Sequence, residues 1–169
     1  MNNSKTIYIR ALGLSILLFV SGHFLFLRTF MFFEPQIDGI TFQIIEHKST
    51  ITTSTAFSLL LFSIPIFILL TWQIARINSF NKRVASVLLM LTFIVLAIFA
   101  RHQQVKTYFT TVVKPALLTH GKASIIYPID PINFIYYMLA GLITGCLLAF
   151  VFFKQRKTGF NLSKEAGRQ

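Results

Sequence analysis

Residues 132–153 read INFIYYMLAGLITGCLLAFVFF, and this stretch decides the fold. No charge interrupts it, and its length falls within the roughly 17–25 apolar residues that span a bilayer's hydrocarbon core. Working outward, three more runs meet the same requirement, at about 11–33, 51–75 and 84–100. Lipid offers no water to an open backbone, so each run is predicted to close its hydrogen bonds internally as a helix. The expected fold is therefore an all-α integral membrane protein, a single domain over residues 1–169. Its four transmembrane helices form a small antiparallel bundle, with outer loops at 34–50 and 101–131 and a tail at 154–169.

Composition agrees. Hydrophobic residues make up 54% of the 169-residue chain and charged residues 12%, with a mean hydropathy of +0.68. A soluble domain carries about a quarter charged residues, so half that share implies lipid as the solvent. The net charge of +11 would suit nucleic acid if the basic residues shared one face. They cluster instead at the ends of apolar runs, where membrane topology uses them, so nucleic acid is not an expected partner. Cys146 is the only cysteine and lies inside span four, which excludes an intrachain disulfide and a cysteine-based zinc site. The first apolar run is long enough to span and no small-residue cleavage site follows a short core, so it reads as a retained helix rather than a signal peptide.

Orientation follows from the basic flanks. Lys5, Arg10, Arg76, Lys82, Arg83, Lys154, Arg156, Lys157, Lys164 and Arg168 fall on one side; Lys48, Arg101, Lys106, Lys114 and Lys122 fall on the other. Ten against five puts both termini in the cytoplasm, and a bacterial inner membrane is the expected location. Trp72 and the Tyr136-Tyr137 pair sit near span ends, where interfacial aromatics belong. Arg101 is expected to snorkel from the end of span three. In the first outer loop, Asp38-Gly39 suits a tight turn and a small hairpin. In the second, Val105, Tyr108, Phe109, Val112 and Val113 repeat at helical spacing, either extending span three or lying on the membrane surface. Lys114-Pro115 is expected to end that piece.

Intramembrane polar residues are the first functional candidates. His23 lies within span one, at a depth where ionisable groups are rare and often functional. A proton relay, a haem ligand and a metal ligand are the sharp readings. The favoured one is a neutral imidazole hydrogen-bonded to another helix, a contact worth about 0.6 kcal/mol in membranes. Arg28, five residues on, reads as a snorkelling side chain with Glu34 in reach, or as an anion or lipid-headgroup contact.

Helix packing supplies the second set. Gly141 and Gly145 form a GxxxG in span four and Ala149 continues the row, a pattern that lets two backbones approach closely. The row serves either the bundle interior or a partner. Ala11, Ser15 and Gly22 make a matching row on span one, so packing of span one against span four is expected. Pro65 interrupts span two and is expected to kink it, as packing geometry or as a hinge, with Ser63 near enough to help satisfy freed backbone.

Catalytic inventory is thin. Asp38 and Asp130 are the only aspartates, both on the outer side, and paired carboxylates there could run acid/base hydrolysis. Solvated loop carboxylates are the plainer reading, because no Ser/His/Asp set, phosphate loop or metal-spaced cluster accompanies them. No cofactor and no metal are expected, and the chain is read as no enzyme.

The plan of four spans, a short basic link at 76–83, polar outer loops and a basic tail is similar to that of the A-type immunity proteins of pore-forming colicins. That likeness covers the whole chain but carries no diagnostic motif, so it transfers no functional residue. Signal peptidase II and the disulfide-forming quinone oxidoreductases share the four-span layout; this chain lacks the motifs of the first and the paired cysteines of the second.

The leading expectation is a non-enzymatic accessory or assembly subunit of a larger inner-membrane complex, docking partners through span four and the outer loops. Lipid and other membrane proteins, or further copies of itself, are the expected partners. Immunity to a pore-forming bacteriocin and a small ion or proton transporter are the alternatives. For orientation, a reporter active only outside the cytoplasm, fused after Gln169, is expected to stay silent. An active fusion would reverse the assignment.

Overall fold

In the computed structural model, residues 2–44, 49–119, 125–129 and 132–154 are described. Among them are four helices long and apolar enough to cross a membrane. Helix α1 runs Asn2–Phe33, α2 Ser49–Ile74, α3 Phe80–Tyr108 and α5 Ile132–Phe153. The short α4, Lys114–Thr119, continues α3 through a π-helical turn at Phe109–Val113. Two short strands, β1 (Ile40–Ile44) and β2 (Ile125–Ile129), complete the described elements. The class is all-α with a minimal sheet added.

The helices associate as two pairs, α1 with α2 and α3 with α5, and α2 bridges the pairs by touching α5. Small residues decide both seams. A Cβ at Gly141 would stand 2.6 Å from the Phe93 carbonyl oxygen, and one at Gly145 would stand 2.7 Å from Met90 Cα. The glycine row therefore seats α5 directly on the α3 backbone, and Ala149 is fully buried at its end. On α1, a Cβ at Gly22 would meet Leu61 and Ser58 of α2, and Ser15 is buried on the same helix. The expected packing of span one on span four is corrected here: each row instead serves the helix beside it. Spacing alone does not name the recipient of a small-residue row.

The core sits toward the end of the bundle that carries the long loops. Phe26, Phe30, Phe57, Leu60, Ile94, Ile98, Phe134, Ile135, Met138 and Leu142 form it. Its centre is a set of rings from three helices: Phe26 and Phe57 lie 5.2 Å apart by centroid, and Phe30 meets Phe134 edge-on at 5.8 Å. Such edge and tilted arrangements favour aromatic pairs beyond the area they bury.

Proline behaves differently from expectation at two places. Helix α2 passes unbroken through buried Pro65, and Ser63 Oγ donates to the Leu60 carbonyl at 2.7 Å, one residue before the carbonyl that Pro65 cannot serve. Lys114-Pro115 does not stop the chain either, because α4 begins there and carries the helix to Thr119. The π turn supplies the reason. Lys114 N–H reaches back to Phe109 O, and the hydroxyls of Thr110 and Thr111 take the Lys106 and Thr107 carbonyls. Threonine hydroxyls thus add side-chain donors to the carbonyls at the entrance to the widened turn.

The loops are tied to each other. Gly39 adopts φ 81°, and Ile40 N–H donates to the Ile37 carbonyl at 3.0 Å, so the Asp38-Gly39 turn forms as expected. The hairpin does not extend beyond that bridge; β1 pairs in parallel with β2, from Ile40 opposite Ile125 to Ile44 opposite Ile129. Two loops separated by two long helices join into one two-stranded sheet.

The glycine seams give a direct test by thermal unfolding in detergent. Gly141→Ala and Gly145→Ala each force α3 and α5 apart and are expected to cost about 1–3 kcal/mol, the usual range for overpacking. Gly13→Ala, where a Cβ meets nothing within 4 Å, is expected to leave the unfolding temperature unchanged or raise it.

Candidate functional site

Charged side chains meet at the loop end. Glu34 follows α1 directly, and Arg101 stands on α3 one residue beyond the apolar run at 84–100. Arg101 Nη2 lies 2.5 Å from Glu34 Oε1, and the two side chains are only 6% and 4% exposed. Arg101 therefore does not snorkel, and Glu34 pairs with it rather than with Arg28. Phenylalanine explains the difference: the guanidinium carbon lies 5.4 Å from the Phe30 ring centre and 5.6 Å from that of Phe134. Burying a charge costs several kcal/mol per ion. An opposite charge in contact and two ring faces, each worth up to about 2 kcal/mol when water is excluded, offset that cost. Glu34 Oε2 and Arg101 Nε have no hydrogen-bond partner among the described residues, so the contact is one of charge more than of a satisfied fork.

Neighbouring groups extend this centre. His102 Nδ1 lies 2.9 Å from the Phe33 carbonyl oxygen. A carbonyl only accepts, so this nitrogen carries the proton and donates. Arg101 also borders an open cavity of about 360 Å³, which Gln104, Tyr108, Asn133 and Tyr137 line from α3 and α5. Tyr137 donates its hydroxyl proton to Gln104 across that opening. Chemically, the centre offers a fixed, internally neutral charge pair beside a polar-rimmed cavity. Among the described residues, no three histidine, cysteine or acidic groups come together in a way that would hold a metal ion.

The remaining candidates are scattered. His23 is exposed on the flank of α1, with Ser54 Oγ of α2 at 3.4 Å from its Nδ1. Arg28 is exposed on α1 and makes no ion pair or hydrogen bond with a described residue. Asp38 is exposed in its turn. Asp130, the other half of the considered carboxylate pair, lies outside the described residues, as do His47 and His120. Gly141, Gly145 and Ala149 belong to the helix seam, and Pro65 to the interior of α2. The structure thus brings together Glu34, Arg101 and His102, none of which the sequence ranked first. The usable signal was an acidic and a basic residue at the same ends of two apolar runs, both expected on the outer side.

The chain matches no protein-family model, and comparison with curated proteins and with solved structures finds no significant similarity.

Removing one member of the buried pair strands the other. Glu34→Leu is expected to destabilise the bundle by about 3 kcal/mol in detergent unfolding, because Arg101 remains charged in an apolar cage. Glu34→Leu combined with Arg101→Met is expected to recover most of that loss. A double variant as unstable as the single one would deny the pair its place in the core.

Proposed function

We propose that this chain is an integral membrane protein of the bacterial inner membrane, with both termini cytoplasmic. In our reading it acts as a non-enzymatic accessory or assembly subunit of a larger complex, docking through the exposed face of α1. The observation that carries this reading is the outward position of His23. Ionisable groups within a span almost always face a bundle interior or a wet cavity, because lipid gives them nothing to bond. His23 stands in mid-helix beside exposed Val20, Phe24 and Leu27, meets the Phe24 ring edge-on, and has as its one hydrogen-bond partner among the described residues Ser54, at 3.4 Å. A second membrane helix lying over this face would shield the imidazole and supply the missing polar contact. Arg28, further along α1 and also exposed, would stand at the rim of the same contact, where a long side chain reaches polar surroundings.

The sheet supports the same reading at the loop end. Among the described residues, no further strand pairs with either outer edge of this two-stranded sheet, and parallel strands are ordinarily covered. An extended segment of a partner adding to one edge would complete it by backbone hydrogen bonds. Span four is not the docking surface in this proposal, since its glycine row is used against α3.

Immunity to a pore-forming toxin is the second reading, and it uses the same face, because a foreign helix in the bilayer would approach α1 from lipid. A small ion or proton transporter is less favoured in this proposal, because His23 lies exposed on the flank of α1.

Photo-crosslinking in intact membranes tests the proposal. A crosslinking residue at Leu27 is expected to capture one discrete membrane protein, or a second copy, more strongly than the same residue at exposed Leu96 of α3. His23→Leu is expected to lower that yield several-fold. No adduct from Leu27, with only monomer recovered in mild detergent, would end this reading. Protection of cells against a bacteriocin on expression would move it to the immunity class.

A further inference from the structure

The opposite end of the bundle holds a second cavity, of about 480 Å³, between α1, α2 and the link to α3. We propose that this cavity binds the phosphate of an anionic membrane phospholipid, held by the guanidinium groups of Arg76 and Arg83 with Tyr8, Trp72, Gln73 and Asn78 around it.

The backbone is built to hold the first arginine there. Helix α2 ends with Ile77 N–H bonded to the Trp72 carbonyl at 2.9 Å and Arg76 N–H to that of Gln73 at 3.2 Å. This pair of bonds is the helix-closing motif whose central position favours glycine, because the chain turns left-handed there. Arg76 occupies it at φ 55°, the one described non-glycine residue with a positive φ. A left-handed conformation is disfavoured for a residue with a Cβ, and glycine would close α2 with less strain. What an arginine adds at that point is a cation on the cavity wall, where it lies exposed.

The second arginine is fixed by contacts. Arg83 Nε donates to the Ile77 carbonyl at 2.9 Å, and its guanidinium lies over the Trp72 ring at 5.2 Å. Trp72 is held in turn, since its Nε1–H donates to Ser86 Oγ at 2.8 Å. These bonds use Nε and one ring face, and Nη1 and Nη2 bond to no described residue. Two terminal nitrogens on a planar, permanently charged group match two phosphate oxygens.

Among the described residues, no carboxylate lines this cavity or pairs with either arginine. The chain has no acidic residue between Glu46 and Asp130, nor any before Glu34. Gln73 and Tyr8 bond to each other across the cavity mouth, joining α2 to α1 and adding polar groups at headgroup depth. Ile7, Leu69 and Ile77 line the remainder, so the wall grades from charged to apolar as a phospholipid does from phosphate to acyl chain. Basic pockets between membrane helices bind anionic headgroups by this combination. The site stands apart from the α1 face around His23, so either proposal can fail alone.

Trp72 is the only tryptophan, so the protein's tryptophan emission reports the surroundings of this one side chain, and the Arg76 variant ties any change to the cavity that Arg76 lines. The full-length protein is reconstituted in phosphatidylcholine bilayers with and without phosphatidylglycerol, and Trp72 emission is followed during titration. Phosphatidylglycerol is expected to shift the emission saturably. Arg76→Gly is expected to weaken apparent binding about fivefold, the usual share of one basic residue at a membrane surface, while leaving the unfolding temperature unchanged or higher. Arg83→Gln is expected to weaken binding as well, and Lys106→Gln, far along α3, is expected to change nothing. Equal emission in both bilayers, or wild-type binding by Arg76→Gly, overturns the proposal. A matching response to inorganic phosphate or glycerol phosphate in detergent also overturns it, by making the ligand a soluble ester.

Discussion

The ion pair between Glu34 and Arg101 is the contact on which the rest of this bundle depends. Helices α1 and α2 form one close pair and α3 and α5 another, and glycine seams glue each pair within itself. Neither seam joins α1 to α3. That union is made at the loop end, where a carboxylate at the foot of α1 meets a guanidinium on α3 inside a cage of phenylalanine rings. His102 donates to the Phe33 carbonyl beside it, and Phe134 brings α5 into the same cluster. Charge supplies a defined register between two helices whose apolar surfaces alone would slide. The aromatic shell makes that affordable by keeping water from competing for either ion.

The two ends of the molecule solve different problems with the same residue type. At the loop end, arginine is buried, matched to an acid and used for architecture. At the link end, Arg76 and Arg83 stand at a cavity with no acid among its described lining, one on a strained turn and the other stacked on Trp72. A matched arginine is spent within the fold, whereas unmatched ones remain available to an anion from outside. Our proposal of a phospholipid site rests on that contrast. The accessory-subunit proposal has its own basis, in the imidazole of His23 on an exposed apolar face.

Much of the architecture was legible in the sequence because lipid-compatible length and composition are crude, strong signals. All four helices long and apolar enough to cross a membrane stand where the apolar runs lie, within a few residues at most ends. What the sequence obscured depends on tertiary context. Arg101 at a run's edge looks like any snorkelling residue until Phe30 and Phe134 are known to close over it. The row of Gly141, Gly145 and Ala149 announces a close approach without naming the helix approached. Lys114-Pro115 resembles a stop until a π turn and two threonines accommodate it. The parallel pairing of residues 40–44 with 125–129 has no local signature, because neither strand alternates over a length that pattern can detect.

That pairing carries a consequence for how the chain is made. Ile40 and Ile125 are neighbours in space, yet the whole of α2, its link and α3 is synthesised between them. Any membrane that the helices cross must have both strands on one face, which requires an even number of crossings in the intervening chain. A nascent chain in which the α2–α3 hairpin had failed to insert as a unit would leave β1 without its mate, and closing so long a loop is slow even when the hairpin is in place. The small sheet is thus a late latch. It closes only on a chain whose middle has gone across and come back.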